Sequence, residues 1–418
     1  MLPTQREMAH ALDINVSTVT RAVALLQQRG LLNARNGLGT FVGTVDSLAR
    51  STSAPAHPSI DPDILLSSPS TYLQALSELL QELAKDPRYS ALQDYGPAEG
   101  PIWARVALAN WMRSIGVDAD PARMVLCSGA QQGLDCAMAA IARRGDTILA
   151  DELTYEGVQA LCRARDLNLV GIEMDADGML PHAFERSCAQ GSPRAVFLMP
   201  TSHNPTTITL SEQRRRELVK VAKRYKVFII EDEANRPLDS HPATSFTDLA
   251  ADLTIHIGGL SKAVAAGLRL GFVIAPRAVA MQVAGALRFS CWCLSPLTAL
   301  IATRLIESGR MGQIIAENRM ELTSRQALAG EVLGRFDLKN RSTSPHAWLP
   351  LCDLWNPSDF SLALMQRGVS ALPTNAFAAG HAMAQRGVRI DVWQSQSRTE
   401  LHRALDLMAD LLSNGAPR

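Results

Sequence analysis

The sequence predicts an α/β protein: a small helix-turn-helix module in front of a mostly parallel β-sheet covered by helices. Three observations carry that expectation. Short β-branched or apolar runs recur at 124–127, 147–150, 170–174, 195–199, 227–230, 253–257 and 270–275. Amphipathic stretches such as 211–225 separate most of them, the pattern of parallel strands joined by crossover helices. Residues 1–43 follow a different order, two short helical patterns and then a hairpin signal.

Composition bounds the function. A chain of 418 residues suits two or three domains at about 150 residues each. Lys and Arg number 41 and so do Asp and Glu, which excludes a strongly basic nucleic-acid coat and an acidic tail. A small DNA-reading module on a neutral body remains compatible with that balance. Hydrophobic residues at 47% and charged residues at 20% describe a globular chain, not a disordered one. The nearest approach to a transmembrane run, 281–302, contains Arg288 and Pro296 and predicts a buried helix followed by a turn. No charged-then-apolar leader pattern opens the chain. The seven cysteines are scattered, with one C-x-C at Cys291 and Cys293, and read as reduced cysteines of a cytosolic protein without a metal.

In the first module, Pro3 and Thr4 stand where a helix would begin, and Met8, Ala9 and Leu12 form its apolar stripe. Asp13 to Val16 predict a short turn, and Ser17 is the expected N-cap of a second helix with Val19, Val23 and Leu26 inward and Gly30 as its stop. Asn36-Gly37 between two short apolar stretches signals a β-hairpin. Helix, tight turn, helix and hairpin is the order of a winged helix-turn-helix. Ser17, Thr18, Thr20 and Arg21 suit phosphates and base edges in a major groove, with Arg35 in the hairpin as a further DNA-binding candidate. Arg6, Arg21, Arg29 and Arg35 outnumber Glu7 and Asp13 in this module. Residues 44–70 are rich in Ser, Thr, Pro and Ala without hydrophobic periodicity, and predict a linker. The rest, 71–418, is expected to end in a smaller α+β subdomain from about 310.

Four features of the α/β region point to chemistry. Ser128-Gly129-Ala130-Gln131 follows a strand and opens a helix, where free N–H groups and the helix dipole favour a phosphate. Asp232 ends an apolar strand at the edge where ligands sit in parallel sheets, although alone it reads as part of a solvated acidic loop with Glu231 and Glu233. Asn204 precedes Pro205, in a turn that leaves its amide free to donate. Ser261-Lys262 lies among glycines after a strand, a setting for a lysine nucleophile of lowered pKa, and Arg269 follows seven positions on as a phosphate clamp.

Together, in this order and spacing, these features resemble the fold-type-I pyridoxal-phosphate enzymes, the aminotransferases in particular. With the stretches LPTQREMAHALDINVSTVTRA, YGPAEGPIWAR and SGAQQGLD, the whole chain resembles the MocR-type regulators of the GntR superfamily. That resemblance implies pyridoxal 5'-phosphate as cofactor. Lys262 would carry it as a Schiff base, and Asp232 would keep its ring nitrogen protonated. Asn204 would donate to its phenolic oxygen and Tyr155 would stack on its ring. Ser128, Gly129, Ala130, Gln131 and Arg269 would hold the phosphate, Ser261 would belong to the same site, and Tyr95 would reach across a homodimer. Arg389 would take the carboxylate of an amino-acid substrate or effector.

The chain departs from the family's pattern at four places. Ala234 and Asn235 stand where a tyrosine is usual, Gly259 where a Ser or Thr is common, and Thr207 where glycine is usual. These changes are expected to weaken cofactor tuning more than cofactor binding. The family's winged helix also begins with a helix ahead of the LPTQRE stretch, so the expectation here is either a mis-assigned start or a module lacking that helix. The implied function is a cytoplasmic, dimeric transcription regulator that binds promoter DNA and senses pyridoxal phosphate or an amino compound. The alternative is a working aminotransferase with a vestigial DNA module, and a third reading is a cofactor-binding protein that does neither.

Overall fold

The structure, a computed structural model, describes residues 2–11, 14–28, 32–35, 39–42, 70–379 and 385–415. Two compact units divide the chain, Met1–Ser59 and Ile60–Arg418. Leu12, Asp13, Gly30, the expected hairpin turn Asn36-Gly37 and the linker residues 44–69 lie outside the described residues.

The first unit holds the helices Gln5–Ala11 and Val16–Gln28 and the antiparallel strands β1 (Leu32–Arg35) and β2 (Gly39–Val42). The first helix starts where expected, because Thr4 and Glu7 close a reciprocal capping box. The Glu7 N–H donates to Thr4 Oγ1 at 3.3 Å and the Thr4 N–H donates to Glu7 Oε2 at 2.7 Å. Ala9, Val19 and Val23 form its buried core, with Leu2 and Met8 against it. The second helix corrects one expectation. It begins at Val16, and its cap is Asn15, whose Oδ1 accepts the Ser17 N–H at 2.9 Å. Ser17 is therefore inside the first turn, where its own side chain cannot satisfy the orphan donors.

In the second unit the seven expected strands form one sheet. They are β3 (Met124–Cys127), β4 (Thr147–Asp151), β5 (Asn168–Ile172), β8 (Ala195–Leu198), β9 (Phe228–Asp232), β10 (Thr254–Gly259) and β11 (Gly271–Ile274), ordered β3-β11-β10-β9-β8-β4-β5. A two-stranded hairpin, β6 (Met174–Asp175) with β7 (Gly178–Met179), stands apart. Only β11 runs against the others within the sheet. The six remaining strands therefore release their C-terminal ends at one edge, where a ligand crevice forms.

Strand alternation decides what each face buries. Ile148, Ala150, Ala195, Phe197 and Ile230 pack with the helix Ala130–Ile141 on one side. Their neighbours Leu149, Val196, Leu198 and Ile229 pack with the helices Pro181–Gln190 and Glu212–Tyr225 on the other. Helices cover both faces, which is why these strands read as continuous apolar runs rather than alternating ones. The run 281–302 is two helices, Arg277–Cys291 and Pro296–Glu307. After the long helix Arg310–Leu333 comes a second sheet, β12 (His346–Pro350), β14 (Gly387–Asp391) and the short β13 (Leu372–Pro373), ordered β12-β14-β13. Among the described residues no helix is long and apolar enough to cross a membrane.

Arg215 ties the loops after two strands to the helix beside them. Fully buried, it donates to the Leu210 and Pro200 carbonyls, to Thr201 Oγ1 and to Glu233 Oε1, all at 3.0–3.2 Å. Truncation would leave Glu233 with Arg236 alone as its cationic partner and take the side-chain donor from the Leu210 carbonyl. Arg215→Ala is expected to lower unfolding stability by about 3–5 kcal/mol, seen as a lower urea midpoint.

Candidate functional site

At the C-terminal edge of the large sheet a cavity of about 310 Å³ opens toward the second sheet. Its walls include Ala130, Gln131, Tyr155, Asn204, Asp232, Ser261, Lys262, Arg269 and Arg389, so nine residues singled out from the sequence share one space. Ser128 and Gly129 stand against Arg269 at one end of it. Tyr95 does not line it: its side chain is 83% exposed, with its ring tilted against Trp292 at 5.4 Å.

The anion end is assembled by close backbone approach. Gly129 precedes the helix Ala130–Ile141 at φ 93°, and a Cβ there would lie 2.6 Å from Arg269 Nη2. Gly271 of β11 sits against the same turn, where a Cβ would come within 2.4 Å of the Gly129 carbonyl carbon. Arg269 crosses the opening, its Nη2 donating to the Ser128 carbonyl at 3.3 Å and its Nη1 to Ser261 Oγ at 3.4 Å. A guanidinium, a hydroxyl and a helix N-terminus thus converge on one spot.

Asp232 is the last residue of β9 and faces the same side as Ile230, as the period of two requires. Burial pushes its carboxyl up to about 6, against the Ala234 N–H that donates to its Oδ1 at 3.1 Å. The acidic neighbours are not a solvated loop. Glu231, on the opposite face, accepts from His256 Nδ1 at 3.0 Å and from the Phe246 N–H at 2.7 Å. Glu233 pairs with Arg215 and Arg236, and both glutamates are fully enclosed. Lys262, on the turn after β10, has its amine held below the usual lysine range, first by burial. Arg389 lowers it further, while Asp391, Glu156 and Asp232 oppose the shift. The fraction of free amine, the nucleophilic form, rises accordingly.

Asn204 and Arg389 meet directly, Nη1 donating to Asn204 Oδ1 at 2.9 Å. The guanidinium also lies over the Phe377 ring at 5.1 Å. At the departures, Asn235 lines the cavity with Nδ2 bonded to the Ser202 carbonyl at 2.9 Å and a buried Oδ1 that has no partner among the described residues. Thr207 holds φ 65°, the left-handed conformation for which glycine is the usual residue.

Three polar lining residues went unread in the sequence: Glu156, His346 and Asp391. Asp391 follows Arg389 by two on β14, so the strand period puts both on one face, and His346 is its register partner on β12. Glu156 directly follows Tyr155. In the first unit Ser17, Thr18 and Arg21 are exposed, whereas Thr20 Oγ1 is engaged by Gln5 Oε1 at 2.7 Å and the Val16 carbonyl at 2.9 Å. Arg35 stands in β1.

The raised carboxyl of Asp232 sets a pH signature. An acid held above its unfolded pKa costs stability only once the unfolded chain ionises, so the penalty grows from about pH 4 and is complete above about pH 6. Without cofactor, Asp232→Asn is expected to melt above wild type at about pH 8, with the gap closing near pH 4.

Comparison with known proteins follows the same division. The family described as aminotransferase class I and II matches residues 66–407, and bacterial regulatory proteins of the gntR family match residues 1–42. The uncharacterized HTH-type transcriptional regulator YdeF of Bacillus subtilis (strain 168) is 28% identical over 99% of this chain and 90% of its own. The vitamin B6 salvage pathway transcriptional repressor PtsJ of Salmonella typhimurium is 27% identical over 87% of this chain and 83% of its own. In fold, the kynurenine aminotransferase of Pyrococcus horikoshii superposes with a TM-score of 0.78 at 21% identity, over 91% of this chain and 97% of that one. The chain belongs to the class I and II aminotransferases and carries a gntR-family module in front, the two-part build of the MocR-type regulators.

Proposed function

We propose that this protein is a transcription regulator whose first unit binds promoter DNA and whose aminotransferase-like unit holds pyridoxal 5'-phosphate and senses an amino compound. The observation that carries the reading is the pairing, in one chain, of an exposed Ser17-Thr18-Arg21 surface on a gntR-family module with a cofactor cavity. The name of PtsJ, a repressor of vitamin B6 salvage, supports it.

The residues present fit the cofactor. The cradle of Gly129, Ser261 and Arg269 admits a phosphate and would be filled by a single added Cβ. Lys262 would hold the aldehyde carbon, Asp232 the protonated ring nitrogen, Asn204 the phenolic oxygen and Tyr155 the ring face. Bound there, pyridoxal phosphate supplies an electron sink for bonds at an amine-bearing carbon. Lys262 contributes an amine of lowered basicity, and Asp232 keeps a proton at the ring nitrogen. Arg389 orients a carboxylate through donors that Asn204 only partly occupies. Occupancy of this site would shift DNA affinity through a coupling free energy between the two units.

A homodimer is part of this reading. Phe289, 97% exposed, and the exposed Tyr95, Met281 and Trp292 supply large apolar area for a second copy. Catalysis of amine transfer is the second reading, favoured by Lys262, Asp232 and Arg389 sharing one cavity.

The test is binding of the full-length protein to its own upstream DNA at two salt concentrations, with and without pyridoxal phosphate. A regulator should bind that DNA roughly 10³-fold or more tighter than random duplex, with affinity changed by the cofactor or an added amine. Binding that is blind to sequence and collapses with salt would refute the reading. Steady turnover of an amino acid with a 2-oxo acid would support the enzyme reading instead. Arg21→Ala is expected to weaken DNA binding while leaving the visible absorption of the bound cofactor unchanged. Lys262→Ala should lose that absorption and keep the fold.

A further inference from the structure

Glu156, like His346 and Asp391, lines the cavity with no role in the reading above, and its surroundings are unusual for a site that receives an amino acid. Its Oε1 lies 3.7 Å from Arg389 Nη1, the same nitrogen that donates to Asn204. Its Oε2 is buried and has no hydrogen-bond partner among the described residues. Arg389 Nε is likewise buried without an acceptor among the described residues. The guanidinium is thus committed at one corner and open along its Nε edge, while the carboxylate beside it presents an unpaired oxygen.

Lys262, Arg269 and Arg389 face Asp232, Glu156 and Asp391 across the cavity. With Arg269 given to a phosphate, Lys262 to the aldehyde carbon and Asp232 to the ring nitrogen, Arg389 stands alone against Glu156 and Asp391. A ligand carboxylate on the Nε edge of Arg389 takes up its remaining positive charge, and Glu156, its side chain 38% exposed but its Oε2 enclosed, then lacks a cation. An enclosed carboxylate oxygen in that position is costly unless the ligand itself supplies the missing donor.

We propose that Glu156 makes this cavity selective for amino acids that bear a second, cationic nitrogen on the side chain. The carboxylate of such a ligand meets Arg389, its α-amine reaches the cofactor, and its distal ammonium meets Glu156. Neutral amino acids of the same length leave Glu156 unpaired, and acidic ones add a third carboxylate. The inference rests on the cavity being the cofactor and effector site.

Calorimetric titration of the full-length, pyridoxal-phosphate-loaded protein with L-ornithine, L-norvaline and L-glutamate tests it, with the cofactor absorption followed in parallel. L-ornithine should bind at least about tenfold tighter than L-norvaline, and L-glutamate weakest. In Glu156→Gln the ornithine preference should fall to within about threefold, through weaker ornithine binding, and Glu156→Asp should restore part of it. L-norvaline or L-glutamate matching L-ornithine on the wild type overturns the proposal. So does a Glu156→Gln variant that binds all three equally more tightly, which would make Glu156 only a latch on Arg389. Should that variant not fold, the wild-type ranking alone decides. Binding of pyridoxal phosphate with no response to any of the three overturns the inference and spares the cofactor reading. Failure to bind pyridoxal phosphate at all overturns both.

Discussion

The site depends on holding Lys262 and Asp232 together in a space poor in water. Each is shifted toward its neutral form by burial, the lysine downward and the aspartate up to about 6. A free amine and a carboxyl that gains from a cationic partner are what a cofactor with an aldehyde and a ring nitrogen requires. The protein carries that cost in its own fold: an ionised Asp232 without its partner is a buried charge, tolerated because the neighbouring acids are neutralised separately. Arg215, Arg236 and His256 take Glu231 and Glu233 out of the account, so that Asp232 alone of the three faces the cavity.

The sheet supplies the convergence. One antiparallel strand, β11, lies between β3 and β10, and the turn that precedes it carries Arg269 beside the phosphate end. Gly271 and Gly129 let two backbones approach closely enough for that guanidinium to reach both Ser128 and Ser261. The second sheet closes the opposite wall with Arg389, Asp391 and His346, all placed by one antiparallel register. Against this frame the departures from the aminotransferase pattern are local. Asn235 leaves an acceptor unpartnered where a tyrosine is usual, and Thr207 accepts a left-handed backbone. Neither replaces Ser128, Ser261 or Arg269.

Much of this was legible in the sequence, for identifiable reasons. Strands buried on both faces leave short apolar runs, so all seven strands of the large sheet could be placed, and Asp232 could be put at a strand end. Ser128 to Gln131 and Ser261-Lys262 were readable because small residues beside a strand mark backbone approach. What escaped needed contacts distant in sequence. Glu231 and Glu233 read as solvated because Arg215 and Arg236 lie outside their strand, and His256 lies on another. Glu156 and His346 needed the apposition of the two sheets, although Asp391 was within reach of the period of two from Arg389. At the second helix, Asn15 and Ser17 are both good caps by type, and only the hydrogen bond to the Ser17 N–H separates them.

The role proposed for Lys262, as the amine that would hold pyridoxal phosphate in the cavity at the sheet edge, is open to a chemical check. Reducing the cofactor-loaded protein with borohydride and mapping the modified peptide tests it most directly. One phosphopyridoxyl group per chain, carried on Lys262, is the expected result. Modification of another lysine, such as Lys220 or Lys223 on the helix Glu212–Tyr225, or none at all, would contradict it.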